Sequence, residues 1–198
     1  VKNSNKRPIP DFPNGFNILY AGNIGKAQNF DPLIEVINEF KDTSLNWIFV
    51  GDGREKDNFK RKINDDLLGK KIFFLGSFSV DLMPHFYEKA DILYLSLNNS
   101  PIFSKTVPAK LQSYMAYGKP VLAMISGEGN SIIKKSSCGF VVNAYDIKGL
   151  KKTLLKILNT NKKALDVMGK NGKSYYDKYF SFEMRKIQID NILNNILK

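Results

Sequence analysis

Six short, nearly all-apolar runs punctuate the chain: Asn17–Ala21, Asn46–Val50, Lys71–Leu75, Asp91–Leu95, Val121–Ala123 and Gly139–Val142. Between them lie longer segments in which apolar residues recur at three- and four-residue intervals, as in Leu33, Ile34, Ile37 and Phe40. Continuous apolar runs fit strands buried on both faces, and the 3.6-residue period fits helices that cover those faces. The alternation predicts an α/β domain, a doubly wound, Rossmann-like parallel sheet of six strands.

Punctuation residues set the boundaries. Asp31 as cap and Pro32 at the first position open one helix, and a charged helix spans about residues 55–68. A further helix covers about 80–89, with Pro84 tolerated in its first turn. Pro108 suits the first position of a helix that Gly118 ends, with Leu111, Met115 and Tyr114 on one face and Lys110, Ser113 and Tyr117 elsewhere. Later helices are expected around 132–136, 146–158, 162–179 and 182–197. In open sheets of this kind a ligand sits beyond the carboxyl ends of the strands, where the loops after strands one and four face each other. Those loops are Gly22–Asn29 and Ser104–Pro108. The glycines of the first allow close backbone approach, and the helix after Pro108 offers free N–H groups suited to a phosphate. As a turn and a crossover helix without a ligand, the two would read the same.

Composition removes several chemistries. Cys138 and His85 are the only residues of their types, so disulfide frameworks, Cys/His zinc sites and His-dependent nucleophilic triads within the chain are excluded. Cys138 reads as a small core residue and His85 as a surface residue. Asp65 and Asp66, adjacent on a helix, diverge into solvent rather than chelate a metal. No metal or other cofactor is expected. The formal charge of +11 suits an anionic membrane surface, a phosphorylated substrate or nucleic acid. The lysines are spread along the chain and no nucleic-acid-reading signature occurs, so nucleic acid is set aside and compositional bias competes with a membrane-surface role. No apolar run approaches the length of a bilayer span. The opening residues, polar and Pro-bounded, read as an interdomain linker, so the chain is expected to be a fragment, soluble and monomeric.

The residues also carry a family likeness. Tyr-Met-Ala-Tyr-Gly-Lys-Pro-Val at 114–121 resembles the E-A-M-A-x-G-x-P-V segment of family 4 glycosyltransferases of the GT-B fold. Tyr20–Gly25 resembles that family's strand and glycine loop, Phe49–Gly53 its V-G-D-G turn, Ile72–Gly76 its V-x-F-x-G segment, Ala90–Ile92 its A-D-I strand, and Cys138–Val142 its G-x-x-V strand. The resemblance covers about residues 16–158. It implies the C-terminal, nucleotide-sugar-binding half of the fold: residues 1–15 as linker, 16–160 as donor domain, and 161–198 as helices that pack against a missing N-terminal half holding the acceptor site.

Departures from the family accompany the likeness. Its paired glutamates fall on Thr106 and Ser113, and its loop arginine and lysine on Asn23 and about Gln28, so four charges are absent. The combination of Gly22–Gln28 with Pro108-Ala109-Lys110-Leu111 resembles a branch that builds surface polysaccharides (capsule and O-antigen) from amino-sugar donors, the fucosamine-type transferases. The resemblance implies Lys26 and Lys110 as the charges on the departing diphosphate of a UDP-sugar. It implies Gly22, Asn23, Gly25, Gln28, Gly51, Gly53, Gly76, Thr106, Val107, Ser113 and Glu128 as donor-contacting positions. A cytoplasmic location follows, with attachment at the inner face of the membrane as an option. A nucleotide-sugar epimerase and a non-catalytic nucleotide-binding module remain the alternatives.

Overall fold

The computed structural model describes residues 8–196. Six parallel strands form one sheet in the order β3-β2-β1-β4-β5-β6. They are β1 (Phe16–Ala21), β2 (Leu45–Val50), β3 (Ile72–Gly76), β4 (Ile92–Ser96), β5 (Val121–Met124) and β6 (Gly139–Val142). The helices are α1 (Asp31–Glu39), α2 (Lys56–Arg61), α3 (Met83–Lys89), α4 (Pro101–Ser104), α5 (Ala109–Ala116), α6 (Glu128–Ser136), α7 (Ile147–Leu158), α8 (Lys162–Tyr179) and α9 (Phe182–Ile196).

Alternate side chains of each strand divide the core in two, as the period of two requires. Ile18, Tyr20, Trp47, Phe49, Ile92 and Tyr94 face one layer, which α1 and α7 close with Leu33, Ile37, Leu150 and Leu154. Leu19, Ile48, Val50, Leu93 and Leu95 face the other, against Phe86, Leu111, Tyr114, Met115 and Ile132 from α3, α5 and α6. Cys138 is buried in that second layer. An aromatic knot, Phe30, Phe49, Phe59 and Phe74, fills the first, with the Phe30 and Phe59 rings stacked at 4.8 Å. Such pairs add stabilisation beyond their buried area.

Several boundaries differ from the expected ones for local reasons. The charged helix after β2 stops at Arg61, and a separate 3-10 turn, Asp65–Leu67, follows because the Asn64 side chain accepts the Asp66 amide and restarts the chain. Asp31 lies inside the first turn of α1 and pairs with Lys62 at 2.6 Å instead of capping. Pro108 occupies the cap of α5, one residue before the expected position. Residues 80–82 form a 3-10 turn ahead of α3, and α6 begins at Glu128, a turn before the expected start. Helix α4 was not anticipated: Ser100 caps it through the Phe103 amide, and Pro101 starts it. Of the expected linker, residues 1–7 lie outside the described residues. Residues 8–15 are docked, with Ile9 and Phe12 against the second layer and Lys89 on Asp11 at 2.7 Å. The expected end of the last helix at Leu197 also lies outside.

Candidate functional site

Strand order reverses between β1 and β4, and there the sheet parts. Strand β1 pairs with β2 over six positions but with β4 over two, Ile18–Ile92 and Leu19–Leu93. Beyond that point the Tyr114 hydroxyl of α5 stands between the strands, accepting from the Ala21 amide at 3.3 Å and donating to the Tyr94 carbonyl at 3.2 Å. A cavity of about 470 Å³ lies there, at the strand ends. Ala21, Gly22, Asn23, Val50, Gly51 and Asp52 line it from β1 and β2, and Ala109, Lys110 and Ser113 from α5.

Backbone pairing past the strands makes this floor. The Gly22 amide donates to the Val50 carbonyl and the Gly51 amide to the Gly76 carbonyl, each at 2.8 Å. Both glycines have strongly positive φ, 138° and 134°. A Cβ on Gly51 would lie 2.0 Å from the Gly22 oxygen, and one on Gly22 would lie 2.6 Å from Lys110 Nζ. Conformation therefore favours glycine at both positions, and at Gly51 the backbone leaves no space for any other residue.

Lys110 is the unusual group. Its Nζ is buried, 3.6 Å from the centre of the Tyr20 ring, and among the described residues it has no hydrogen-bond partner. Desolvation pulls its pKa down to about 7. An ammonium without a counter-ion is costly to bury, and an anion in the cavity would restore its charge. The other ionisable groups of the cavity move away from neutrality. The Gly53 amide and Lys56 hold Asp52 below the usual carboxylate range, and burial pushes Tyr87 up to about 12.

The expected site residues separate into groups. Gly22, Asn23, Gly51, Lys110 and Ser113 share the cavity. Lys26 and Gly25 line a separate groove with Phe30, Asp31, Glu55 and Phe59. Gln28 is committed to its own turn, its side chain accepting the Gly25 amide at 3.0 Å. Gly53 packs on the Ile24 backbone, and Gly76 supports Gly51. Thr106 is exposed and donates to the Ile102 carbonyl, while Ser113 donates to Ala109. Val107 joins the second core layer, and Glu128 is an exposed residue of the first turn of α6. Two hydrogen bonds strap the loops on either side of the crevice: Ser96 Oγ donates to the Gln28 carbonyl at 2.6 Å and the Asn98 amide to the Ala27 carbonyl at 2.8 Å.

Sequence reasoning missed an apolar wall, Phe78, Val80, Met83 and Tyr87, and the ring of Tyr20 beneath Lys110. The signal for the wall was strand order, since Ser77 and Phe78 follow β3, two strands from β1. Among the described residues no cluster of His, Cys, Asp and Glu could hold a metal. No described helix is long and apolar enough to cross a membrane.

Comparison with known proteins agrees with this architecture. The chain is 23% identical over 178 residues to the probable glycosyltransferase WbjE of Pseudomonas aeruginosa, covering 88% of this chain and 44% of that one. It is 28% identical over 171 residues to the uncharacterized glycosyltransferase MJ1178 of Methanocaldococcus jannaschii, covering 83% and 44%. The chain thus spans less than half the length of these relatives. Among solved structures, Anabaena Alr3699/HepE in complex with UDP and glucose superposes with a TM-score of 0.74 at 18% identity, over 91% of this chain and 48% of that one. Staphylococcus aureus TarM, in a complex that includes UDP, gives 0.74 at 20%, over 98% and 40%. The C-terminal domain of the Francisella tularensis group 1 protein LpcC gives 0.65 at 18%, over 84% and 87%. These likenesses establish the fold, and the sequence profile of the glycosyl transferases group 1 matches residues 2–175, so the chain belongs to that family.

Proposed function

We propose that this chain is the donor-binding half of a glycosyltransferase that moves a sugar from a nucleoside diphosphate, UDP foremost, to an acceptor in cell-surface polysaccharide synthesis. The observation that carries the reading is Lys110, whose buried Nζ lies over the Tyr20 ring at the strand-order reversal with no hydrogen-bond partner among the described residues. There it would neutralise charge on the departing diphosphate, together with the free first-turn amides of α5. Lys26, the second charge expected on the diphosphate, is exposed and lines a separate groove. UDP in the solved TarM and HepE complexes supports a uridine donor. The amino-sugar identity and the polysaccharide role rest on the resemblance of Pro108–Leu111 and the glycine loop to that branch.

The acceptor would be held by the part of the protein that this chain does not span. Helix α9 supports such a neighbour, because Phe182, Ile187, Ile189, Ile192, Leu193 and Ile196 are all exposed on it. A non-catalytic nucleotide-binding module is the second reading. It is favoured by the Thr106 and Ser113 hydroxyls, which are spent on their own backbone carbonyls where the family has carboxylates.

Calorimetric titration of UDP and uridine tests the site. Charge-assisted contacts contribute about 1.5–3 kcal/mol, so Lys110→Ala should weaken UDP about tenfold to a hundredfold and leave uridine nearly unchanged. Lys152→Ala, on the exposed side of α7, is the control. Equal UDP affinities for the two variants would remove Lys110 from the site.

A further inference from the structure

The lysines are spread along the chain, but the carboxylates that would balance them are not. Residues 1–133 carry 16 basic and 14 acidic side chains, whereas residues 134–178 carry 11 lysines and only Asp146, Asp166 and Asp177. Compositional bias alone would not segregate charge in this way.

Helix α8 turns part of that excess into a surface. Its inner side buries Leu165, Gly169 and Gly172. At 100° per residue the opposite side is the row Lys163, Val167, Lys170, Ser174 and Lys178, all exposed. The three lysines stand about 10 and 12 Å apart along the axis, and none makes an ion pair or hydrogen bond among the described residues. Asp166 and Asp177 flank the row along one edge, and Asp177 is paired with Lys173. At the end of the row Lys178 meets Lys135 of α6 across one groove, with Asn171, Ser174, Tyr175 and Tyr179 between them.

We propose that this outer face of α8, extended by Lys135, is a docking surface for an anionic phospholipid bilayer. The row matches a plane of negative charge, as a helix lying along a surface requires. The apolar side chain in it favours lipid over nucleic acid. Val167 is 49% exposed in mid-row, while Tyr179, 41% exposed, lies off the row and borders the groove that Lys135 and Lys178 share. Such groups gain from the boundary between headgroups and acyl chains, where lysine stems also lie flat with their ammonium groups outward. The surface is independent of the donor cavity, so the two readings fail separately.

Co-sedimentation with vesicles tests it. The chain should bind vesicles of equal parts phosphatidylcholine and phosphatidylglycerol, be released by salt, and ignore phosphatidylcholine alone. With each surface lysine contributing about fivefold, Lys163→Ala/Lys170→Ala/Lys178→Ala should lose on the order of a hundredfold in partitioning. The corresponding triple Lys→Arg variant should bind as the unsubstituted chain does. Lys41→Ala/Arg61→Ala/Lys70→Ala removes the same charge elsewhere on the surface and should lose far less. An equal loss in the two alanine triples, no binding to the anionic vesicles, or tighter binding to polyuridylate than to vesicles would each overturn the proposal.

Discussion

A lysine whose pKa burial draws down to about 7 would make the proposed diphosphate binding a proton-uptake reaction. Above that pH the free protein holds Lys110 neutral over the Tyr20 ring, while a bound diphosphate favours the charged form. A coupling of about tenfold to a hundredfold raises the bound pKa by about one to two units, so at pH 8 about 0.4–0.8 of a proton should be taken up per UDP, and affinity should fall about fivefold to twenty-fivefold between pH 7 and pH 9. The remaining cavity groups do not titrate there, since Asp52 is ionised well below and Tyr20, Tyr87 and Tyr114 are held neutral by burial. Calorimetry of UDP at pH 8 in two buffers of different ionisation enthalpy counts the protons directly. Lys110→Met should take up none and bind weakly at every pH. The same residue leaves a mark on stability. Its folded pKa lies below the value near 10.5 of the unfolded chain, so the unfolded state binds more protons between the two and stability rises with pH across that window. Lys110→Met should therefore stabilise the fold by about 2–4 kcal/mol near pH 7 and gain progressively less toward pH 10, as read from urea melts. A proton count near zero for the unsubstituted chain, or the same pH dependence in Lys110→Met, would refute the reasoning.

Other perturbations follow from the same geometry. Ser113→Glu puts a carboxylate one turn from Lys110 on the same helix; it should raise the lysine's pKa and flatten the pH dependence of UDP binding in the same calorimetric series. Gly51→Ala drives a methyl group to 2.0 Å from the Gly22 oxygen at positive φ, so thermal unfolding should show a large loss of stability and UDP binding should disappear. Phe59→Ala empties the middle of the aromatic knot and should cost about 3–5 kcal/mol in urea unfolding, with UDP affinity unchanged because Phe59 does not line the cavity. Chelator should leave UDP binding intact, and restoration by magnesium after its loss would argue for a metal site that the residues do not suggest.

Much of the fold was legible because its strands are buried on both sides. An apolar run such as Asn46–Val50 has one plausible role in a chain of alternating periods, and a doubly wound sheet puts the loops after strands one and four side by side. Helix ends were less legible. Asp31 was free to pair with Lys62, and Asn64 restarted a helix whose apolar spacing, Phe59, Ile63 and Leu67, ran on unbroken. In the site, the position of the Gly22 loop followed from topology, while Gly51 and Lys110 were named by the family resemblance. The burial of Lys110 followed from neither, because the helical period placed it away from Leu111 and Met115; its stem reaches Tyr20 only because Gly22 leaves room. Nor could spacing reveal that Gln28 turns back on Gly25, or that the wall of the cavity comes from the chain after β3.

The seam between β1 and β4 gives the sheet a mechanical character of its own. Two ladder positions join the triplet β3-β2-β1 to the triplet β4-β5-β6, so bending of the sheet concentrates along that line. The phenol of Tyr114 fastens it between the ladder and the Ser96 and Asn98 straps, holding an amide on one side and a carbonyl on the other. In Tyr114→Phe both backbone groups lose their partner, and the Ala21 amide should exchange with solvent deuterium far faster than the Leu19 amide two residues inside the seam. A ligand gripped by both triplets would slow that exchange again, which makes one backbone proton a gauge of how firmly the two halves of the sheet are held together.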